Sequence, residues 1–345
     1  MKSEPTTFPK NKWLAWIGLG ITFICFYFIA RNIDWDEFIN TLVGINRFYF
    51  SLALLIFMSG WVLRAMRWQT LLAPIGKIPL KECFVFVMIG YLANLILPLR
   101  TGEFIRLILF SREKKTPIGG TLATLVLEKL FDVTALLVFV FILSLVVILP
   151  PDWRRGILLV EGVAIVALVL MMVIAFQRGN LNWLERFIPH FVPPGIKSRL
   201  LNLLHTFVEG LAALKYWRAL LWVVVQSIII WGAVAVSLHF FLLATGIYLP
   251  WHAAIFVMVI TNLGSAIILT PGGFGLIHFL TIVALNRYGV DESIAFGLAV
   301  VFHESVVIAQ VVVGLISLWA KGFSWRQIRH QEIPSNRIEP RESLL

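Results

Sequence analysis

The chain has 345 residues, of which 59% are hydrophobic and 14% charged, with a formal net charge of +10 and a mean hydropathy of +0.88. An ordinary soluble domain carries about 25% charged residues, so that class is excluded. The basic residues sit in short loops beside apolar runs and form no single patch, which argues for membrane topology and against nucleic acid as a partner.

In chain order, a short polar N-terminus (1–12) precedes an apolar run from Trp13 to Ala30. That run exceeds the 7–15 residues of a signal-peptide core and no small-x-small site follows it, so it is read as a first transmembrane helix. Further full spans are expected at about 47–63, 121–149, 157–176, 219–245 and 294–319, each near the roughly 20 residues that cross a ~30 Å hydrocarbon core. Arg64, Arg67 and Trp68 close the second span and read as interface anchors, with Trp13, Trp217 and Trp319 on the same side and Trp35, Trp153 and Trp251 on the other. Leucines and charges alternate at helical spacing in 180–218, an amphipathic segment that either lies on the inner membrane surface or packs on the bundle. A basic tail follows from 321 to 345. Cys25 and Cys83 are far apart and lack metal spacing, so neither a disulfide framework nor a zinc site is expected.

Two apolar segments, about 84–110 and 252–287, are interrupted in the same way. The first carries Asn94, Pro98, Arg100, Gly102, Glu103 and Arg106; the second carries Asn262, Pro271, Gly272, Gly273, Gly275 and His278. Pro and Gly within a membrane helix free backbone N–H and C=O groups, which hydrocarbon tolerates only where protein or a water-filled cavity covers them. Paired discontinuous helices in corresponding halves point to a transporter's substrate site. If each broken segment dips in and returns to its own side, the inner segments hold 23 Lys/Arg and the outer ones five. This bias places both termini in the cytoplasm, and the two breaks then enter from opposite faces as an inverted repeat.

Ionisable groups at membrane depth cost roughly 2.5–3.5 kcal/mol each on insertion scales, so each calls for a reason. Glu128, Lys129 and Asp132 lie within one span, with Glu128 and Asp132 four apart on one face. Such a pair needs a cation, and Arg100, Arg106 and Lys129 are the candidates. The group is read either as a salt-bridge lock between helices or as a polar cavity, with Glu103 and His278 added to it. Glu103 and Arg106 have the spacing to pair with each other. Arg100, beside the break and a half-helix N-terminus, is the leading anion-binding candidate, and with Arg106 it would hold a headgroup phosphate. Asn94, Asn262, Gly272, Gly273 and Gly275 would offer amide and backbone contacts to a headgroup. His303-Glu304 does not begin a zinc-protease motif, since position 307 is Val. No metal or cofactor is expected, and the sequence carries no Walker lysine loop and no Gly-x-Ser-x-Gly elbow.

Four motifs in order resemble the lysylphosphatidylglycerol synthase transmembrane-region family, also called flippase-like domain or UPF0104 proteins. They are Leu63-Arg64-x2-Arg67-Trp68, Asn94-x3-Pro98-x-Arg100-x-Gly102-Glu103-x2-Arg106, Glu128-Lys129-x2-Asp132 and Pro271-Gly272-Gly273-x-Gly275, within a hydropathy profile spanning roughly 12–320. The resemblance implies movement of a lipid between leaflets; in the synthase the cargo is an aminoacylated phospholipid made by a soluble domain. That soluble domain has no counterpart in these residues, and His278 stands where the family usually has Glu.

The expectation is therefore an all-α polytopic membrane protein, about six full spans plus two broken re-entrant pairs, with one flippase-like domain at 13–320. It would act as a lipid transporter of the inner membrane, without ATP and not as an enzyme. Its partners would be membrane lipids, with a second copy of the chain or a lipid-synthesis enzyme as candidates. The alternative is a membrane subunit or enzyme of lipid or polyprenyl-linked glycan synthesis.

Overall fold

The computed structural model describes residues 12–31, 33–97, 101–147, 194–267 and 270–322, with isolated positions between 155 and 173. Among them no strand occurs. The chain opens with α1 (Lys12–Ala30), then α2 (Trp35–Val43), capped by Asp34, whose Oδ1 accepts from the N–H groups of Asp36 and Glu37. Asn46 caps α3 (Arg47–Leu72) in the same way. Prolines set the next starts: Pro79 precedes α4 (Leu80–Ile96) and Pro117 precedes α6 (Ile118–Ser144), with α5 (Gly102–Lys114) between them. After α7 (Pro194–Gly210) come α8 (Trp217–Ala244), α9 (Trp251–Ile267), a 3₁₀ turn at Pro271–Gly273, α10 (Leu276–Asn286) and α11 (Glu292–Ala320).

Helices α3, α8 and α11, with 26, 28 and 29 residues, are long and apolar enough to cross a membrane. At a rise of 1.5 Å per residue each reaches about 40 Å. Helix α6 is as long, at 27 residues, but carries Glu128, Lys129 and Asp132 in mid-length. Of the expected span at 157–176 only isolated positions are described, all helical.

Two sequence expectations change, and one open alternative is decided. The second span does not stop at residue 63: α3 continues to Leu72, so Arg64, Arg67 and Trp68 lie within the helix body. No helix breaker occurs before Pro74, and acidic groups from α6 compensate the arginines. Trp68 is accordingly not an interface anchor; it is fully buried, with its indole N–H donating to Thr124 Oγ1 at 3.0 Å and its ring against Phe110. The described part of the 180–218 segment is packed on the bundle: α7 lies against the start of α6, where Gly119 and Gly120 admit its backbone.

Both interruptions fall where expected. In the first, α4 and α5 pack so closely that a Cβ on Gly102 would collide with the Gly90 carbonyl and the Asn94 backbone. In the second, the chain turns through Gly272, Gly273 and Gly275 with φ of +61°, +79° and +76°, a region open to glycine at little cost. The two breaks meet: the 3₁₀ turn contacts α4, and a Cβ on Gly272 would sit 3.5 Å from the Leu95 carbonyl. A large apolar core joins α3, α8, α9 and α11 (Phe241, Phe256, Leu238, Phe296). A smaller one gathers around Trp68, Phe86 and Phe110.

Candidate functional site

A cavity of about 370 Å³ opens where the two breaks meet. Helix α4 contributes Tyr91 and Asn94, α5 Glu103, α6 Lys129 and Asp132, α9 Asn262, and the second break Thr270, Gly272 and Gly273. Arg64 of α3, Trp231 of α8, Ser265 of α9 and Gln310 of α11 complete the polar lining. Asn94 Oδ1 has no hydrogen-bond partner among the described residues, and Asn262 donates through Nδ2 to the Met258 carbonyl at 2.8 Å.

Beneath the cavity lies an ion network. Arg67, fully buried, donates from Nη1 to Asp132 Oδ1 at 2.7 Å and to Ser227 Oγ at 2.8 Å, and its Nη2 lies 3.7 Å from Glu128 Oε1. Glu128 also accepts from Arg106 Nη2 at 2.9 Å. Asp132 Oδ1 further accepts from the Trp231 indole N–H at 3.1 Å. The like-charge pair Glu128 and Asp132 is thus bridged by one guanidinium from α3, which hydrogen-bonds Asp132 and lies at ion-pair distance from Glu128. In a buried pair, attraction offsets desolvation only if the remaining lone pairs and protons find partners; Ser227 and Trp231 supply some of them, while Nε and Nη2 of Arg67 and Nε of Arg106 have no hydrogen-bond partner among the described residues.

Two cations differ from the rest. Arg64 reaches Asp132 Oδ2 only at 3.8 Å, leans on the Trp231 face at 5.2 Å, and its side chain is 16% exposed into the cavity. Lys129 pairs with Glu103 and its side chain is 42% exposed. Four cations (Arg64, Arg67, Arg106, Lys129) therefore face three anions (Glu103, Glu128, Asp132), an excess of one positive charge, and the exposed cations lie on the cavity side.

The structure places the expected residues unevenly. Asn94, Glu103, Lys129, Asp132, Asn262, Gly272 and Gly273 come together on the cavity wall. Arg106 does not, contrary to expectation: it is buried under Trp68, 4.5 Å from the ring, and pairs with Glu128 in place of the expected Glu103. The helical spacing allowed a Glu103–Arg106 pair, but α5 turns the two toward different partners on α6. Glu128 lies below the wall, and Gly102 serves the α4–α5 contact. Gly275 faces α1 at Thr22 and Cys25 rather than the cavity. His278 is also withdrawn, buried beside Glu304 and His303 behind the second break. Pro98 and Arg100 lie outside the described residues, so the expected Arg100 contact does too, and of Pro271 only the backbone is described. Arg64, Tyr91, Trp231, Ser265, Thr270 and Gln310 were missed as cavity residues. Arg64 alone had a signal, its position one helical turn from Arg67.

The fold and this cavity define a polytopic all-α membrane protein whose two broken helices enclose a polar chamber. A family model for the lysylphosphatidylglycerol synthase transmembrane region matches residues 15–314, and the chain belongs to that family. A UPF0104 membrane protein of Methanocaldococcus jannaschii is 22% identical over 88% of this chain and 93% of its own length. Another, from Pyrococcus horikoshii, is 23% identical over 81% of this chain and 88% of its own length. The glycosyltransferase AglD of Haloferax volcanii is 25% identical over 86% of this chain but 52% of its own length, so the chain spans about half of that relative. No solved structure gives a significant match.

Proposed function

We propose that the protein moves a phospholipid or polyprenyl-linked lipid between leaflets without ATP, as a transporter rather than an enzyme. The observation that carries this reading is the net positive charge around a polar chamber between two helix breaks, inside a protein of membrane-spanning helices. A chamber of about 370 Å³ falls in the usual range for small-ligand sites. The headgroup enters it while the acyl chains stay in lipid. Arg64 and Lys129 face its phosphate, with Arg100 added from the sequence as a third donor beside the first break. Asn94, Asn262 and Gln310 offer amides to hydroxyl or amine groups, and Trp231 and Tyr91 offer ring faces. The chain works in the inner membrane with both termini cytoplasmic.

The test is a leaflet-resolved lipid assay in proteoliposomes across several headgroups. Wild-type protein moves at least one anionic or polyprenyl-phosphate lipid faster than empty vesicles, and Arg64→Gln abolishes this while purifying at normal yield. Equal rates with and without protein for every lipid would refute transport.

A second reading, a membrane component of polyprenyl-linked glycan synthesis, is favoured by the name of the Haloferax relative. A deletion strain separates the two: a missing lipid species indicates synthesis, and an unchanged inventory with altered leaflet distribution indicates transport.

A further inference from the structure

We propose that His278, His303 and Glu304 form a binding site for one divalent transition-metal ion of the zinc class, seated behind the second helix break. The site adjoins the headgroup chamber through the Gly272 turn, but the argument does not depend on transport.

Glu304 Oε1 lies 3.4 Å from His278 Nε2 and 3.3 Å from His303 Nδ1. The other nitrogen of His303, Nε2, lies 3.0 Å from the Gly272 carbonyl oxygen. A carbonyl only accepts, so Nε2 must carry the hydrogen, and the neutral ring then presents a bare lone pair on Nδ1. A bare nitrogen thus faces a carboxylate oxygen, an arrangement that needs a cation between them. That cation is a proton or a metal ion, and the distances discriminate. A charge-assisted N–H···O bond closes to about 2.7–2.9 Å, shorter than either observed separation. A tetrahedral metal with bonds of about 2.0–2.1 Å to nitrogen and 2.0–2.2 Å to oxygen spaces its ligand atoms by roughly 1.6 bond lengths, or about 3.4 Å. Two of the three ligand–ligand edges match that value, and all three ligand atoms lie within 4.8 Å of one another.

The surroundings agree. The hydrogen bond from His303 to Gly272 is the outer contact that sets a ligating imidazole's tautomer and orientation. His278 is buried and its Nε2 is directed at Glu304, so that nitrogen is the one presented at this point. Phe26, Phe274 and Phe296 ring the two histidines with apolar surface. The Glu304 side chain is 35% exposed, which leaves an entry path and room for a fourth ligand. Two imidazoles and a carboxylate with an open position suit Zn²⁺, with Co²⁺ as its spectroscopic substitute. Through His303 the ion would tie α10 and α11 to the turn that closes the second break.

The full chain in detergent micelles is stripped with a chelator and titrated with Zn²⁺ or Co²⁺. Elemental analysis is expected to find about one ion per chain, with visible bands of tetrahedral Co²⁺. His303→Gln and Glu304→Gln each weaken binding beyond the ~10–100-fold that loss of an outer-shell partner costs, whereas His239→Gln, stacked on Trp251 elsewhere, leaves it unchanged. X-ray absorption on the wild-type ion guards against variants that fail to fold, and should show imidazole nitrogen and carboxylate oxygen in the first shell. No stoichiometric ion on wild type, binding unaltered in folded variants, or a thiolate-containing shell would each overturn the proposal; the first would leave a proton between His303 and Glu304.

Discussion

The two helix breaks meet at one chamber but are held by different chemistry. The α4–α5 break sits against ion pairs that tie it to α6, the buried Arg106–Glu128 and the half-exposed Glu103–Lys129, with buried Arg67 of α3 below them. The α9–α10 break has no ion pair in the turn itself; it is shaped by three glycines with positive φ and by hydrogen bonds from His303 to the Gly272 carbonyl and from Thr22 to the Phe274 carbonyl. Ion networks are rigid because each member left unpaired in the interior is costly. Glycine turns are soft, because φ can change there with little steric cost. The first break is therefore the anchored wall of the chamber, and the second is the wall suited to move.

The largest expected effect attacks the anchored wall. Arg67→Ala leaves Asp132 and Glu128 without their shared cation, and breaking a buried pair typically costs 3–5 kcal/mol. Folded, monodisperse protein on size-exclusion chromatography should fall sharply, with a lowered melting temperature. Normal yield and melting for Arg67→Ala would mean that the network does not hold the first break. The double change Arg67→Met with Asp132→Leu should recover part of the loss, since apolar replacement of a whole pair is often neutral.

Next come the glycines, where the two walls compare directly. Gly102→Ala drives a methyl into the backbone of Gly90 and Asn94, and overpacking typically costs ~1–3 kcal/mol. Gly272→Ala forces a side chain into a left-handed conformation at roughly 1–2 kcal/mol and brings its methyl against the Phe274 side chain rather than against backbone. Melting curves should therefore rank Gly102→Ala as the more damaging. The opposite order would reverse the assignment of rigid and soft walls.

A smaller effect on stability, but a large one on activity, is expected at Arg64. Its ion pair is long and its side chain partly exposed, so Arg64→Gln should shift melting by little more than the ~0–1 kcal/mol of an exposed pair. Lipid movement should nevertheless be lost. Arg64→Lys, which keeps the charge but loses the planar fork, should retain part of the rate. Loss of yield in step with loss of activity would place Arg64 in the structural network instead.

The mildest test changes no buried contact. Cysteines at Arg112, beyond the first break, and at Asn286, beyond the second, are both exposed and should label from opposite sides of the membrane. Labelling from the same side would remove the inverted relation between the breaks and leave only their difference in chemistry.

Much of this was legible in the residues, for identifiable reasons. Pro and Gly act locally, so the positions of both breaks could be read within a few residues, and charges are rare enough in apolar helices that Glu128, Lys129 and Asp132 stood out. Partner choice was not legible. The Glu103–Arg106 spacing permits a pair, yet Arg106 goes to Glu128 and Glu103 to Lys129. Arg67, taken for an interface anchor, is the most buried cation of the group.

By itself the sequence determined that the chain is helical and membrane-embedded, since composition and run length depend only on the transfer of side chains and backbone out of water. It also determined that two helices are broken, because the causes lie within each segment. Only the tertiary structure decided that the breaks touch, that α3 runs on to bring Arg67 beneath the acids of α6, and that His278 joins His303 and Glu304 from another helix. Such contacts join residues tens to hundreds of positions apart. They depend on how helices rotate and approach, which the packing of the whole bundle settles and no local pattern records.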